Sequence, residues 1–206
     1  MEDVLEVYKR RRRNGYPLVC MDEQPTQLFK ETRSPLPPKP GKYARVDYEY
    51  ERNGTAVNFM FSAPLEEWRR VSVRERRTRI DWADEIRKLV DEDFPEARKI
   101  VLVMDNLNTH TAGSLYEAFA PKEARRILNK LEIHYTPKHG SWLNMAEIEL
   151  SVFTKQCLTR RIPTIATLRS EAKAWNQKRN NTNKGIDWQF TTKKARIKLK
   201  RLYPQI

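Results

Sequence analysis

From position 100 to 104 the chain reads Ile-Val-Leu-Val-Met, without one polar side chain, and then stops at Asp105 and Asn106. A strand with one face in water alternates apolar and polar residues, whereas an unbroken apolar run is covered on both faces. Residues 100–104 therefore read as a central strand, and the chain has to supply helices for both sides of its sheet. Residues 78–93 offer one, with Ile80, Ala83, Ile86, Leu89 and Val90 at helical spacing. A helical stretch over 114–131, interrupted near Pro121, leads into a short strand at 132–135. After the loop 136–141 comes a helix whose apolar stripe is Leu143, Ala146, Leu150, Phe153 and Cys157, and another helix follows over 167–180.

Upstream, residues 2–13 suggest a short helix ending in a basic run, and 16–22 a strand. The proline-rich stretch 34–41 cannot be regular structure, because its prolines lack N–H donors. Residues 44–62 have the pattern of a hairpin: strand 45–50, an Asn-Gly turn at 52–54, strand 55–61. Residues 68–73 are a weaker third strand. The order predicts an α/β fold, a mixed sheet flanked by helices. The expected organisation is a basic N-terminal segment (1–14), one α/β domain (15–185) and a basic C-terminal tail (186–206).

Composition narrows the partners. The 206 residues can bury one sizeable core, and 39% apolar with 33% charged residues fits a soluble protein. There are 40 Lys+Arg against 27 Asp+Glu, a formal charge of +13, which favours nucleic acid over other partners. A basic solubilising surface is the plainer alternative. No apolar run approaches the length of a membrane span, and the N-terminus has no signal-peptide core, so a cytoplasmic protein without a membrane partner is expected. Cys20 and Cys157 form no CxxC pair, which argues against zinc and for free buried thiols.

Three acidic segments then stand out: Val19-Cys20-Met21-Asp22-Glu23, Val101 to Asn106, and Ser141-Trp142-Leu143-Asn144-Met145-Ala146-Glu147. The first two read as strands ending on an acid, the third as the first turn of a helix. Hard oxygen ligands from separate elements suit Mg²⁺, and a pair of such ions can activate a nucleophile and stabilise a leaving oxygen at a phosphodiester. Each acid has a structural alternative. Glu23 competes with Asp22; Asp105-Asn106 can close a strand as an Asx-type turn; Asn144 and Glu147 have the spacing of a reciprocal helix cap. Helical geometry leaves Glu147 and Glu149 tied, since both border the apolar stripe.

The segments Val101-Leu102-Val103-Met104-Asp105-Asn106-Leu107-Asn108-Thr109-His110 and His139-Gly140-Ser141-Trp142-Leu143-Asn144-Met145-Ala146-Glu147 resemble the catalytic core of bacterial insertion-sequence transposases of the Tc/mariner superfamily, enzymes of the DDE type. Met21-Asp22-Glu23 fits the first acid, and Arg52-Asn53-Gly54-Thr55 and Glu75-Arg76-Arg77-Thr78 add agreement; the resemblance covers roughly residues 15–185. It implies a ribonuclease-H-like domain that cuts double-stranded DNA at element ends and joins them to target DNA with two Mg²⁺ or Mn²⁺ ions. It places catalysis and metal binding on Asp22, Asp105 and Glu147, with Asp22 bridging, and leaves Glu149 outside the motif. It also implies a bacterial protein, associated with the nucleoid when bound to DNA. Full-length relatives carry an N-terminal helix-turn-helix, for which this chain has no room, so a homodimer or a partner chain supplying that part is expected. The competing expectations are an inactive remnant that only binds DNA and a nuclease of the same fold acting on RNA–DNA hybrids.

Around the acids, His110 and His139 are candidates for orienting a phosphate or a ligating carboxylate, against the alternative of loop histidines with local partners; His134 reads as structural. Asn106 and Asn108 either support the metal site or form turns. Lys138 should border the carboxylates. Arg11 and Arg12, and Lys194, Arg196 and Lys198, are candidate phosphate contacts of a sequence-independent kind, against the alternative of solvated tails. Trp188 is a candidate for stacking on bases, while Trp142 is expected in the core.

Overall fold

In the computed structural model, which describes residues 1–138, 140–182 and 185–203, the chain runs α1 (Glu2–Tyr8), β1 (Leu18–Glu31), β2 (Tyr50–Ala63), β3 (Trp68–Arg74), α2 (Arg79–Lys88), β4 (Ile100–Met104), α3 (Ala112–Ala118), α4 (Pro121–Asn129), β5 (Leu131–Tyr135), α5 (Ala146–Cys157), α6 (Ile165–Asn180) and α7 (Thr192–Lys198). The sheet order is β3-β2-β1-β4-β5. β1 is parallel to β4 and β4 to β5; the other neighbours are antiparallel.

The doubly covered strand is realised. Leu18, Cys20, Val101 and Val103 face one core with Val4, Leu5, Phe153, Leu168, Trp175 and Ala195, drawn from α1, α5, α6 and α7. Val19, Met21, Ile100, Leu102 and Met104 face the other, with Trp82, Ile86, Leu115, Ala124 and Ile127 from α2, α3 and α4. Local chemistry sets the helix starts. Thr78 and Asp81 exchange the two hydrogen bonds of a capping box ahead of α2. Pro121 sits in the first turn of α4, where its missing N–H costs nothing, and divides the expected 114–131 helix into α3 and α4.

Two expectations are corrected. The hairpin at 44–62 does not form. β1 continues past Asp22 to Glu31 and pairs with β2 from Cys20↔Ser62 to Glu31↔Tyr50, so residues 32–49 are the connection. The Asn-Gly pair lies inside β2: Gly54 has φ +82°, and the register slips between Gln27 and Phe29 opposite it. Asn53 donates to Pro163 O at 2.6 Å instead of closing a turn. A longer partner strand overrode a local turn signal. Residues of α1 and α7 pack into the main core: Val4, Leu5, Val7 and Ala195 are buried in it, and α1 meets α7. Finally, Trp142 is 43% exposed, edge-on to Phe190, because it falls in a 3-10 turn before α5 and not on its buried stripe.

The outer edge of the sheet is sealed by side chains. Asn176 of α6 accepts from Val71 N–H (3.0 Å) and donates to Val71 O (3.2 Å); Asn180 does the same at Arg69, 2.9 Å each way. Four residues along a helix rise about 6.0 Å and two along a strand about 6.7 Å, so this spacing keeps both pairs in step. Two buried acids are held by arginines. Glu149 lies 3.0 Å from Arg69 Nε and takes two hydrogen bonds from Arg179 at 3.1 Å. Glu85 meets Arg70, Arg74 and Ser72.

Candidate active site

β1 and β4 pair only from Leu18↔Val101 to Cys20↔Val103. Beyond that the strands part, and the crevice outside the carboxyl ends of parallel strands is where α/β sheets take ligands. Asp22 follows two residues after Cys20 on β1, mid-strand and opposite Met60 of β2; Asp105 follows directly on β4. Asp22 Oδ1 accepts the Glu23 N–H at 2.8 Å.

Glu147 reaches the same place because the start of α5 is pinned to β1. Asn144 Nδ2 donates to Met21 O at 2.7 Å, one residue before Asp22, while its Oδ1 accepts the Ala146 N–H at 3.1 Å. The reciprocal Asn144–Glu147 cap is not formed, and Met145 occupies the cap position. From below, Tyr8 donates its hydroxyl proton to Leu143 O at 2.7 Å. A cleft of about 480 Å³ is lined by Asp22, Glu23, Gln24, Glu147, Thr154 and Lys155. A second, of about 380 Å³, is lined by Asp105, Asn106, Leu107, Thr136, Lys138 and Ser141.

The electrostatics separate these acids from the rest. Burial pushes the Asp22 carboxyl up to about 7; the Glu23 N–H pulls the other way, and the charges of Asp105, Glu147 and Glu23 add to the rise. Among the described residues no lysine or arginine pairs with Asp22, Asp105 or Glu147. Glu149, the competitor for the third acid, is fully buried against its arginines. The donor set therefore suits a hard divalent cation, which would offset mutual repulsion that, among the described residues, no lysine or arginine offsets. No three His, Cys, Asp or Glu side chains among the described residues already stand as a closed metal-holding group.

The other candidates divide. His110 is fully buried, with no face open to a phosphate, and contacts Asp105 and Glu23. His139 lies outside the described residues. Lys138 and Asn106 are exposed on the rim of the Asp105 cleft. Gly140 closes that loop on Pro137, where an added Cβ would sit 2.5 Å from Pro137 Cγ. Arg12 is held by Glu66, and Arg196 by both oxygens of Glu2 at 2.8 and 2.7 Å. Lys194 Nζ donates to Gln189 O; Arg11 and Lys198 are exposed. Trp188 packs edge-on against Tyr8 and donates its indole N–H to Phe190 O, so it is spent within the protein. His134 bridges Asp3 and Glu132, the structural part expected of it. The Glu23–His110 contact and the Tyr8 strut were not foreseen. The adjacency of Glu23 to Asp22 was the one available hint.

Comparison with known proteins agrees with this geometry. The family described as DDE superfamily endonuclease matches residues 17–169, and the chain belongs to it. Its sheet and helices have the ribonuclease-H-like fold. Among solved structures it is similar to a Mos1 mariner paired-end complex with Mn (TM-score 0.58, 15% identity, 88% of this chain and 55% of that one). It is also similar to a Mos1 transposase paired-end complex with left transposon end (0.57, 16%, 85% and 53%) and to a Mos1 strand transfer complex (0.58, 15%, 85% and 51%). The chain thus spans about half the length of these solved chains. No curated protein sequence matches it. The expected DDE family is met, the fold is shared with these mariner transposase structures, and divalent metal ions are the cofactors of DDE endonucleases. No helix among the described residues is long and apolar enough to cross a membrane.

Proposed function

We propose that this domain cuts DNA phosphodiester bonds and transfers the ends, as the catalytic part of a DNA transposase, with Asp22, Asp105 and Glu147 holding two Mg²⁺ or Mn²⁺ ions. One observation carries this reading. Elsewhere the chain gives its buried acids arginines, yet at one crevice, among the described residues, it pairs none of three carboxylates with a lysine or arginine, leaves Asp105 only the His110 ring, and lets burial push Asp22 up to about 7. When bound, the ions activate the attacking water or hydroxyl and offset charge on the departing oxygen.

The chain's own residues do the rest. Asp22, whose carboxyl feels the charges of both Asp105 and Glu147, would be the acid held in common when the ions are bound. The Asn144 bond to β1 fixes the distance between the Asp22 strand and the Glu147 helix. Lys138, exposed on the cleft rim, meets a phosphate of the bound strand, with Asn106 beside it. Arg11 and Lys198, which no acid among the described residues holds, add sequence-independent contacts; Arg12, Lys194 and Arg196 are committed to internal bonds and contribute less. A homodimer, or a partner chain supplying a helix-turn-helix, is the proposed source of end recognition. A complex on duplex DNA with the mass of two chains supports it.

The test is nicking of supercoiled plasmid with Mg²⁺ or Mn²⁺. Nicking by the parent and its loss in a folded Asp105→Asn variant support the proposal. DNA binding without nicking would instead make the chain a DNA-binding remnant, and preferential cleavage of an RNA–DNA hybrid would move the substrate.

A further inference from the structure

One imidazole touches carboxylates from two different strands. His110 Nε2 lies 2.9 Å from Glu23 Oε1, and Nδ1 lies 2.6 Å from Asp105 Oδ1, a close charge contact without hydrogen-bond alignment, and pairs with Asp105 O at 3.3 Å. The ring is fully buried and the Glu23 side chain 2% exposed, while Asp105 remains 29% exposed. The ring stacks on Trp82, centroids 5.7 Å apart at 27°, and the His110 carbonyl accepts the Tyr135 hydroxyl at 2.8 Å. Face, backbone and both nitrogens are all occupied, so the imidazole has one orientation. The arrangement is asymmetric, with a buried carboxylate at one end and a half-open one at the other. Glu23 Oε2 is also buried and has no hydrogen-bond partner among the described residues, while Oε1 is taken by the ring.

We infer that His110 is a positioning residue which, anchored on Glu23, holds the Asp105 carboxylate in one orientation for the metal site, and that Glu23 is the anchor and not a ligand; this rests on Asp105 being a metal ligand as proposed above. Carboxylates that hold metals are themselves aimed by hydrogen bonds, and Mg²⁺ tolerates little misplacement of its oxygens. The two nitrogens have separate tasks: Nδ1 aims Asp105, and Nε2 keeps the ring from turning.

That division can be read out without turnover, as the Mg²⁺ concentration giving half of the metal-induced rise in melting temperature. His110→Asn puts an amide nitrogen near the Nδ1 position and keeps the Asp105 contact. His110→Gln puts one near Nε2 and keeps only the Glu23 contact. The midpoint should rise about tenfold or more in His110→Gln and only about threefold in His110→Asn, on the scale of lost outer-shell bonds. Glu23→Gln, which still accepts from Nε2 through its amide oxygen, should stay within about threefold of the parent. Equal midpoints in the two histidine variants, or an unchanged one in His110→Gln, overturn the inference. So does loss of the Mg²⁺ response in Glu23→Gln, which would make Glu23 a ligand. If the parent responds to Mg²⁺ and Asp105→Asn does not, the metal reading survives either of those failures. If the parent gives no response, the metal reading falls and takes this inference with it.

Discussion

Glu147 and Glu149 sit two residues apart on α5 and meet opposite surroundings. Glu149 turns into the core, where Arg69 and Arg179 wait for it. Glu85, between β3 and α2, is treated the same way: burial alone would push its carboxyl up, but Arg70, Arg74 and Ser72 hold it down at about 2. At the crevice between β1 and β4, Glu147 joins Asp22 and Asp105, and burial there acts unopposed by any guanidinium, leaving Asp22 at about 7. The protein has 40 Lys+Arg, so cations are not scarce. The difference teaches that a buried acid is identified as structural or chemical by whether the fold has supplied its counter-charge.

The largest effect expected from breaking this contrast is at Asp22. Asp22→Asn should lower plasmid nicking about 10³-fold, as removal of one preorganised charge-stabilising group does, and at pH 8 its melting temperature should exceed the parent's. Next is Glu149→Ala, which strands two buried arginines and should cost about 3–5 kcal/mol in urea unfolding; Glu147→Ala should change stability by no more than about 0.5 kcal/mol while nicking is lost. A large stability loss at Glu147, or none at Glu149, would erase the distinction.

Smaller, and sharper, is the pH dependence. A carboxyl raised from 3.8 to about 7 binds its proton more tightly in the folded chain, so its contribution is complete at low pH and is lost as pH rises through 7. The advantage of Asp22→Asn should therefore grow between about pH 4 and 7 and then level, and Mg²⁺ should shrink it by stabilising the parent. Burial alone would push His110 down, but Asp105 and Glu23 outweigh it and raise it from 6.5 to about 9. That stabilisation is present below 6.5 and should fade as melts are taken up through pH 9. The smallest effect is at the sheet edge: Asn180→Ala leaves the Arg69 N–H and C=O without their partners and should cost about 1–2 kcal/mol.

The apolar run at 100–104 was enough to specify a doubly covered strand, and periodicity located α2, α5 and α6, because burial on a face is written directly in residue spacing. What failed was decided by partners far along the chain. Asn53-Gly54 has every local mark of a turn, yet β1 holds it straight. Trp142 looked buried only because α5 was started too early. At the site, Asp22, Asp105 and Glu147 could be proposed from hard-oxygen chemistry, but the tie with Glu149 needed either a family motif or the sight of Arg69 and Arg179, residues 80 and 30 positions away. Tyr8 carried no signal at all, since its partner is a backbone oxygen at Leu143.

That strut from Tyr8 has a practical meaning for anyone trimming the chain. The first eight residues resemble a disposable leader, but they prop the turn from which the Glu147 helix departs. A version begun at residue 10 would keep all three acids and lose the floor under one of them.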